Sequence, residues 1–588
     1  MKRHLLLLLS LLAFQLGFAQ NYNVIEPELQ EVLGQKGNDM ISVNIILKSE
    51  VDINNLRNNV RGISDAKTHR QALVSEFKSF TEQSQKDIMS ILEKGESEGE
   101  VKNIKTHWLS NMITCTASKN YIYNLSERAE IKIIGYNELQ FLLWNENAKA
   151  TEVQRGLTQN IKHVNADKVW KEGYNGDGIL VGVIDTGVNF HKDLEKNLWD
   201  GGVEYPNHGY NTFEDSHDIH DGFNHGTHCA GIICGDGTSG TQTGIAPGAT
   251  VMCIKVMDDA GSGDANSVCS GIEFAIEHGA DVLNMSLGFP NASMSTKEAL
   301  RRTYVNALES NVAIVTAVGN DGMLNLTFPV PNSVRVPGGC PPQWLHPDQQ
   351  VNAGGLSACI AVSAVDNTNT VAAFSSKGPF TWQTSSYADY PYLPGREIGL
   401  IRPDVCAPGV DIISCNNSGG YIIMDGTSQA APCVTGVVCL MLQKKPYLTP
   451  AQICEALETS ATKLSETKSN ETGSGCVNAL LALEEIEDYE NLNGNDPDRI
   501  EELTSAVNIY PNPVNDKLHI ETLTQTQTQT LTQTQTLTVE IYDAFGRQWS
   551  TVNGQQSLSI DVSNLNSGVY FVKINTANGN IVNKFIKK

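Results

Sequence analysis

Positive charge is scarce in this chain. Against 66 Asp and Glu it sets 42 Lys and Arg, for a formal net charge of -24 at pH 7. The cations form no stripe, which excludes a nucleic-acid-binding face, because phosphate binding needs a concentrated cationic surface. Long apolar runs are also missing: beyond residue 20 no segment is long and apolar enough to span a bilayer. Metalloprotease chemistry lacks its signature. The segment "HDIHDGFNHGTHC" gathers His217, His220, His225, His228 and Cys229, and His at i and i+3 can share a zinc-binding helix face. No H-E-x-x-H arrangement supplies the accompanying base, and a zinc site would leave the strongest motifs elsewhere unexplained.

What is present begins with "MKRHLLLLLSLLAFQLGFAQ", a basic start, a leucine-rich stretch and small residues at Gly17 and Ala19. That is the layout of a secretory signal peptide over residues 1–19, so the product is expected outside the cytoplasm. A length of 588 residues predicts roughly three or four folding units at about 150 residues each. Export permits disulfides, but spacing does not give their pairing. Of 13 cysteines, Cys115 stands alone in the first third and the rest lie between Cys229 and Cys476. Cys253, Cys269 and Cys439 sit inside apolar runs, where a free thiol behaves as a small hydrophobe.

Residues 20–150 alternate strand-like "ISVNIILKS", "NMITCTAS" and "EIKIIGY" with the charged helical stretch "HRQALVSEFKSFTEQSQKDIMSILEKG", which predicts a small α+β unit. From 151 to 482 the texture changes. Continuous apolar strands ("GILVGVID", "ATVMCIKVM", "DVLNMSLG", "VAIVTAVGN", "CIAVSAVD") alternate with helical segments ("ANSVCSGIEFAIEHG", "STKEALRRTYVNALES", "TPAQICEALETSA"). Such a pattern predicts an α/β fold with a parallel sheet covered by helices on both faces. An acidic linker fills 483–504. Residues 505–588 then read as a β-sandwich of short alternating strands between Asn, Asp and Gly turns, interrupted by the low-complexity "TLTQTQTQTLTQTQTLT".

Three segments of the α/β unit carry chemistry. "VGVIDTGV" puts Asp185 at a strand end, where open α/β sheets expose their crevice. "NHGTHCAGIICG" puts His225 at the start of a small-residue helix, and "DGTSQAAPCVTGVVCLMLQKK" puts Ser428 at the start of a helix apolar on nearly every face. Singly, each has a structural explanation as a turn, packing or capping residue. Together they supply a nucleophilic hydroxyl, an imidazole to take its proton and a carboxylate to orient the imidazole, in the chain order Asp, His, Ser.

On these motifs the chain resembles the subtilisin-like (S8) serine peptidases over roughly residues 155–480. The resemblance implies a catalytic Asp185, His225 and Ser428, with His228 a structural neighbour. "VTAVGNDG" is similar to the family's oxyanion segment, which makes Asn320 the side-chain donor beside the Ser428 amide. "GSG" at Gly261, Ser262 and Gly263 and "SLG" at Ser286, Leu287 and Gly288 resemble the two segments that bind an extended peptide as an added strand. "VSAVDNTNTVAAFSSKGP", "RPDVCAPGV" and "GSGCVNALLAL" are further family landmarks. The chain departs from the family at Gln429, Cys433 and Cys229, none of them a reacting group. The Pro- and Gly-rich "LNLTFPVPNSVRVPGGCPPQWLHPDQQVNAGG" is expected to be a surface insertion beside the cleft.

The resemblance also implies that no cofactor is required, that calcium is a structural ion with Asp193 in "FHKDL" among its ligands, and that the enzyme is a monomer acting on protein or peptide substrates. Residues 20–150 resemble the family's inhibitory propeptide, cut by the enzyme itself near Asn145 to Arg155. The last unit, through "YPNPVND", "IYDAFGR" and "LNSGVYFVKI", resembles the sorting domain read by the type IX secretion machinery. The expectation is a self-processing zymogen of a secreted or surface-attached endopeptidase. Its rival is a non-catalytic surface or binding protein that keeps the fold.

Overall fold

The computed structural model describes residues 24–35, 39–63, 65–143, 148–151, 155–324, 326–341, 358–383, 392–395, 397–489, 507–510, 514–522, 537–543, 548–554, 557–566, 568–576 and 579–587. The signal-peptide segment, the low-complexity tract and most of the acidic linker lie outside them. No helix among the described residues is long and apolar enough to cross a membrane.

At the centre is a seven-stranded parallel sheet. Its strands run, in spatial order, Val405–Pro408, Ile360–Val365, Ala313–Ala317, Val282–Met285, Leu180–Asp185, Thr250–Lys255 and Gly209–Asn211. Continuous burial of these strands matches their unbroken apolar sequence, because helices cover both faces. One face packs His225–Cys234 and the long Thr427–Lys444 helix; the other packs Ala265–Glu277 and Met294–Glu309. The order reverses beside Leu180–Asp185, whose successors pair on opposite sides of it. Asp185 therefore lies at the topological switch point, where a crevice opens at the strand C-termini.

Ahead of this domain, Val101–His107, Met112–Ala117, Ile41–Leu47 and Ile131–Tyr136 form an antiparallel sheet in that order, packed with the Ala66–Ser97 helix. Val101–His107 went unpredicted because "VKNIKTH" exposes both faces over its middle and lacks apolar alternation. The unit docks on the backs of the two helices starting at Ala265 and Met294. Leu109 donates its amide to Glu273 at 2.7 Å, Asn306 reaches Leu109 O at 2.6 Å, and Arg302 meets Leu47 O at 3.0 Å and Glu50 at 2.9 Å. Glu26 is sealed in the same interface, where it accepts from the Ser295 amide at 2.5 Å and hydroxyl at 2.9 Å. That places a carboxylate at the N-terminus of the 294–309 helix.

The C-terminal unit is a two-layer β structure. A three-stranded sheet (Val507–Tyr510, Lys517–Thr522, Ser557–Asp561) and a four-stranded one (Gln548–Gly554, Leu537–Asp543, Gly568–Thr576, Gly579–Lys587) share a small apolar core that includes Leu518, Ile520, Val539, Ile541, Ile560 and Val572.

Candidate active site

Asp185 ends its strand buried, and its Oδ1 accepts from His225 Nδ1 at 2.7 Å and from the Thr186 amide at 2.8 Å. His225 opens its helix. Gly226 follows because a side chain there has no room: a Cβ would stand 2.0 Å from Gly187 O and 3.1 Å from the Asp185 Cβ. The helix lacks an ordinary cap, since Asn224 adopts a left-handed φ of 76° and makes no side-chain cap. Asp221 takes over that duty. Its buried carboxylate accepts from the Phe223 and Asn224 amides (3.1 and 2.8 Å), the Thr227 amide and hydroxyl (2.9 and 2.6 Å) and the Thr186 hydroxyl (2.8 Å). Thr186 Oγ1 in turn accepts from the Gly226 amide at 3.0 Å. One carboxylate thus couples the Asp185 strand end to the His225 helix start.

Ser428 is the second residue of its helix, after Thr427 and the extended Gly426, and its side chain makes no cap. A capping role is therefore excluded by position. Its hydroxyl is 3.4 Å from Ser286 O. Pro432 supplies no amide hydrogen to the Ser428 carbonyl four residues back. That carbonyl instead accepts from Ser286 Oγ at 2.9 Å and Cys229 Sγ at 3.4 Å, which ties the Ser428 backbone to the cleft strand and to the His225 helix. The Ser428 amide lies in the first helical turn, where amides have no intrahelical acceptor.

Asn320 is aimed by its neighbour. Its Oδ1 accepts from both the amide and the hydroxyl of Thr427 at 2.9 Å, and the hydroxyl accepts from the Gly319 amide at 3.1 Å. This arrangement commits the oxygen and leaves Nδ2 as the donor.

The two predicted binding segments flank an occupant from the chain itself. Gln140–Phe141 pairs antiparallel with Ser262–Gly263, the Leu142 amide donates to Gly261 O at 3.0 Å, and the Gly288 amide donates to Leu142 O at 2.9 Å. Backbone carries this recognition: Leu287 is buried in the core and Ser286 is committed to Ser428. Arg335, from the start of the Pro- and Gly-rich insertion, reaches Leu143 O at 3.2 Å while paired with Asp321 at 2.9 Å. Val336 bridges Phe289 beside the cleft, but residues 333–341 are buried, with Val334, Val336 and Cys340 in the core, so this part of the segment is not the surface insertion expected from its Pro and Gly content; residues 342–357 lie outside the described ones.

The five candidate zinc ligands do not converge on one site, although His225 and Cys229 bring ligand atoms within 4.8 Å of one another and of Asp185. His217 and His220 are exposed, His225 is held by Asp185, and His228 is buried with Nε2 at 3.2 Å from Ile412 O and Ile422 O. Burial pushes His228 down to about 3, so it stays neutral. Asp193 does not fit a calcium ion as it stands. Its carboxylate is buried, one oxygen accepting from the Ser239 amide at 2.5 Å and the other from the Tyr421 hydroxyl. All 13 cysteines are buried free thiols. Burial pushes Cys229 up to about 11 and Cys433 to about 12, so both departures from the family are inert packing in this state.

Residues 176–475 match the model of the subtilase family, and residues 508–588 match that of a secretion system C-terminal sorting domain. Subtilisin DY of Bacillus licheniformis is 34% identical over 55% of this chain and 96% of its own length. Subtilisin E of Bacillus subtilis (strain 168) is 32% identical over 58% of this chain and 74% of its own. M-protease of Shouchella clausii (strain KSM-K16) is 32% identical over 57% and 72%. The sorting domain marks a protein secreted or attached to the cell surface. The chain belongs to the subtilase family and is a serine-type endopeptidase.

Proposed function

We propose that Ser428 attacks the substrate carbonyl while His225 takes its proton, and that Asp185 holds the imidazole tautomer and stabilises the imidazolium. Asn320 Nδ2 and the Ser428 amide then receive the oxyanion. Water deacylates the enzyme through the same histidine. The step needs no metal or cofactor. The observation that carries the reading is the buried 2.7 Å contact of Asp185 with His225, in a domain whose Ser428 backbone is bonded to both the His225 helix and the cleft strand.

Residues 20–150 act as the inhibitory propeptide of a monomeric zymogen, and their tail occupies the substrate channel. Support comes from the seating of Gln140 to Leu142 between Gly261–Gly263 and Gly288. Further along the chain, Lys149–Thr151 pairs antiparallel with Tyr421–Ile423. The self-cleaved bond is expected near Asn145 to Arg155, beyond the seated Gln140 to Leu142. The type IX machinery reads the C-terminal sandwich and carries the enzyme across the outer membrane. Protein and peptide chains in extended form are the substrates.

The test is intact mass and N-terminal sequencing of the purified precursor beside Ser428→Ala. The wild type is expected to split near residues 145–155 and the variant to remain whole. Equal processing of both would assign the cut to another protease.

A further inference from the structure

Cys476 lies in the segment that closes the catalytic domain, and the ladder seats it directly beside Cys406 of the edge strand Val405–Pro408. The Cys406 amide donates to Gly475 O and the Val477 amide to Cys406 O, both at 2.9 Å, so the two cysteines are cross-strand neighbours. Neighbouring strands run about 4.8 Å apart, within the Cα separation a disulfide spans. The two side chains share a small apolar cluster with Val365, Val371 and Leu464. On the other side of Cys476 stands His163, half-buried, with Nε2 at 2.8 Å from Asn369 Oδ1, so that its other nitrogen is the one available to the sulfur.

We propose that Cys406 and Cys476 form a disulfide in the exported protein, locking the closing segment of the catalytic domain onto its central sheet. Cys476 differs from the other cysteines. Hydrogen bonding with Cys406, joined by the His163 ring, pulls its thiol down to about 6 against the opposing effect of burial. Thiols such as Cys253, Cys269 and Cys433 are pushed up to about 12. Cys433 is near enough to compete, but it is bound to Asn160 Nδ2 and Pro408 O, both at 3.8 Å.

The oxidant is a disulfide of the export compartment, on a protein or a small thiol. While the segment is still closing on the sheet, Cys476 gives up its proton and its sulfur attacks one sulfur of that disulfide, displacing the first thiolate. Cys406 then gives up its proton and attacks the Cys476 sulfur of the mixed disulfide, expelling the second. Two protein thiols lose two electrons, and one disulfide becomes two thiols. Once the segment is seated the bond is closed to solvent, since Cys406 and Cys476 are 0% and 2% exposed, and reductant reaches it only as the segment opens on heating.

The bond would reinforce a buried clamp at the same place. Asp404 pairs with Arg402 at 3.0 Å and Lys468 at 2.9 Å, Lys468 pairs with Glu458 at 2.9 Å, and Ser474 donates its amide to Asp404 O at 2.8 Å.

The inference rests on export to an oxidising compartment. The experiment is peptide mapping of full-length protein recovered after export, alkylated in denaturant without reductant, with a fluorophosphonate label on Ser428 read in the same digest. The expected result is a Cys406 peptide joined to a Cys476 peptide, with a thermal midpoint about 5–10 °C lower in excess dithiothreitol. Alkylated Cys406 and Cys476 in protein that takes the label would overturn the pairing while leaving the catalytic reading intact. So would a Cys433–Cys476 link, or a midpoint indifferent to reductant. A linked pair without label would leave the disulfide standing and remove the catalytic reading.

Discussion

Thr427→Val isolates how Asn320 is aimed. The substitution keeps the shape of the side chain and deletes a hydroxyl that donates to Asn320 Oδ1 at 2.9 Å and accepts from the Gly319 amide at 3.1 Å. The Thr427 amide still holds Asn320 Oδ1 at 2.9 Å, so the carboxamide loses one of two anchors. Removing the corresponding carboxamide donor from a subtilisin costs about 10²–10³ in kcat. Loss of one neutral hydrogen bond, about 1 kcal/mol, should therefore lower kcat roughly 5- to 10-fold with KM held. The stranded Gly319 amide should cost about 1–3 kcal/mol of stability.

The assay is steady-state kinetics on a chromogenic peptide, normalised by active-site titration so that slower maturation does not enter the rates. Thr427→Ser should recover most of kcat. In an Asn320→Ala background the same Thr427→Val change should cost almost nothing, because Thr427 acts through Asn320. A full additional loss in that background, or a loss carried by KM, would refute the reasoning.

Further outcomes follow from the same contacts. Asp221→Asn replaces an acceptor of five hydrogen bonds and should cost about 3 kcal/mol of stability by calorimetry together with a fall in kcat; a change in stability alone would remove its positioning role. Burial raises Glu26 to about 7 from 4.5, so its docked form favours the proton. Propeptide docking should be strongest below about pH 4.5, weaken as pH rises to about 7 and level off above, by at most about 2–3 kcal/mol; this component should vanish from the inhibition profile of Glu26→Gln. Asp193→Asn should lower the thermal midpoint through the Ser239 and Tyr421 bonds. The loss should be equal with and without a calcium chelator; a loss confined to calcium-containing buffer would make Asp193 an ion ligand.

The sequence was most legible where one physical rule dominated. Strands such as "GILVGVID" read correctly because burial on both faces leaves a continuous apolar run. Gly209–Asn211 and Val405–Pro408 were not read as strands, being three and four residues long and mixed in composition. Of the site, the proposed reacting residues Asp185, His225 and Ser428 stand out in the sequence as chemically active groups at strand or helix ends. Asp221 and Thr427 do not, because an acid in a turn and a Thr beside a Ser look ordinary until their partners, distant in sequence, are known. Ser428 illustrates the limit: a cap and a nucleophile occupy similar sequence positions, and only its placement one residue inside the helix separates them.

The most direct test of the central claim is mass-spectrometric location of a fluorophosphonate adduct on the processed enzyme, beside His225→Ala. The account predicts a single adduct on the peptide containing Ser428, formed at least a hundredfold more slowly in the variant. An adduct on another residue, or labelling of Ser428 at an unchanged rate without His225, would contradict it.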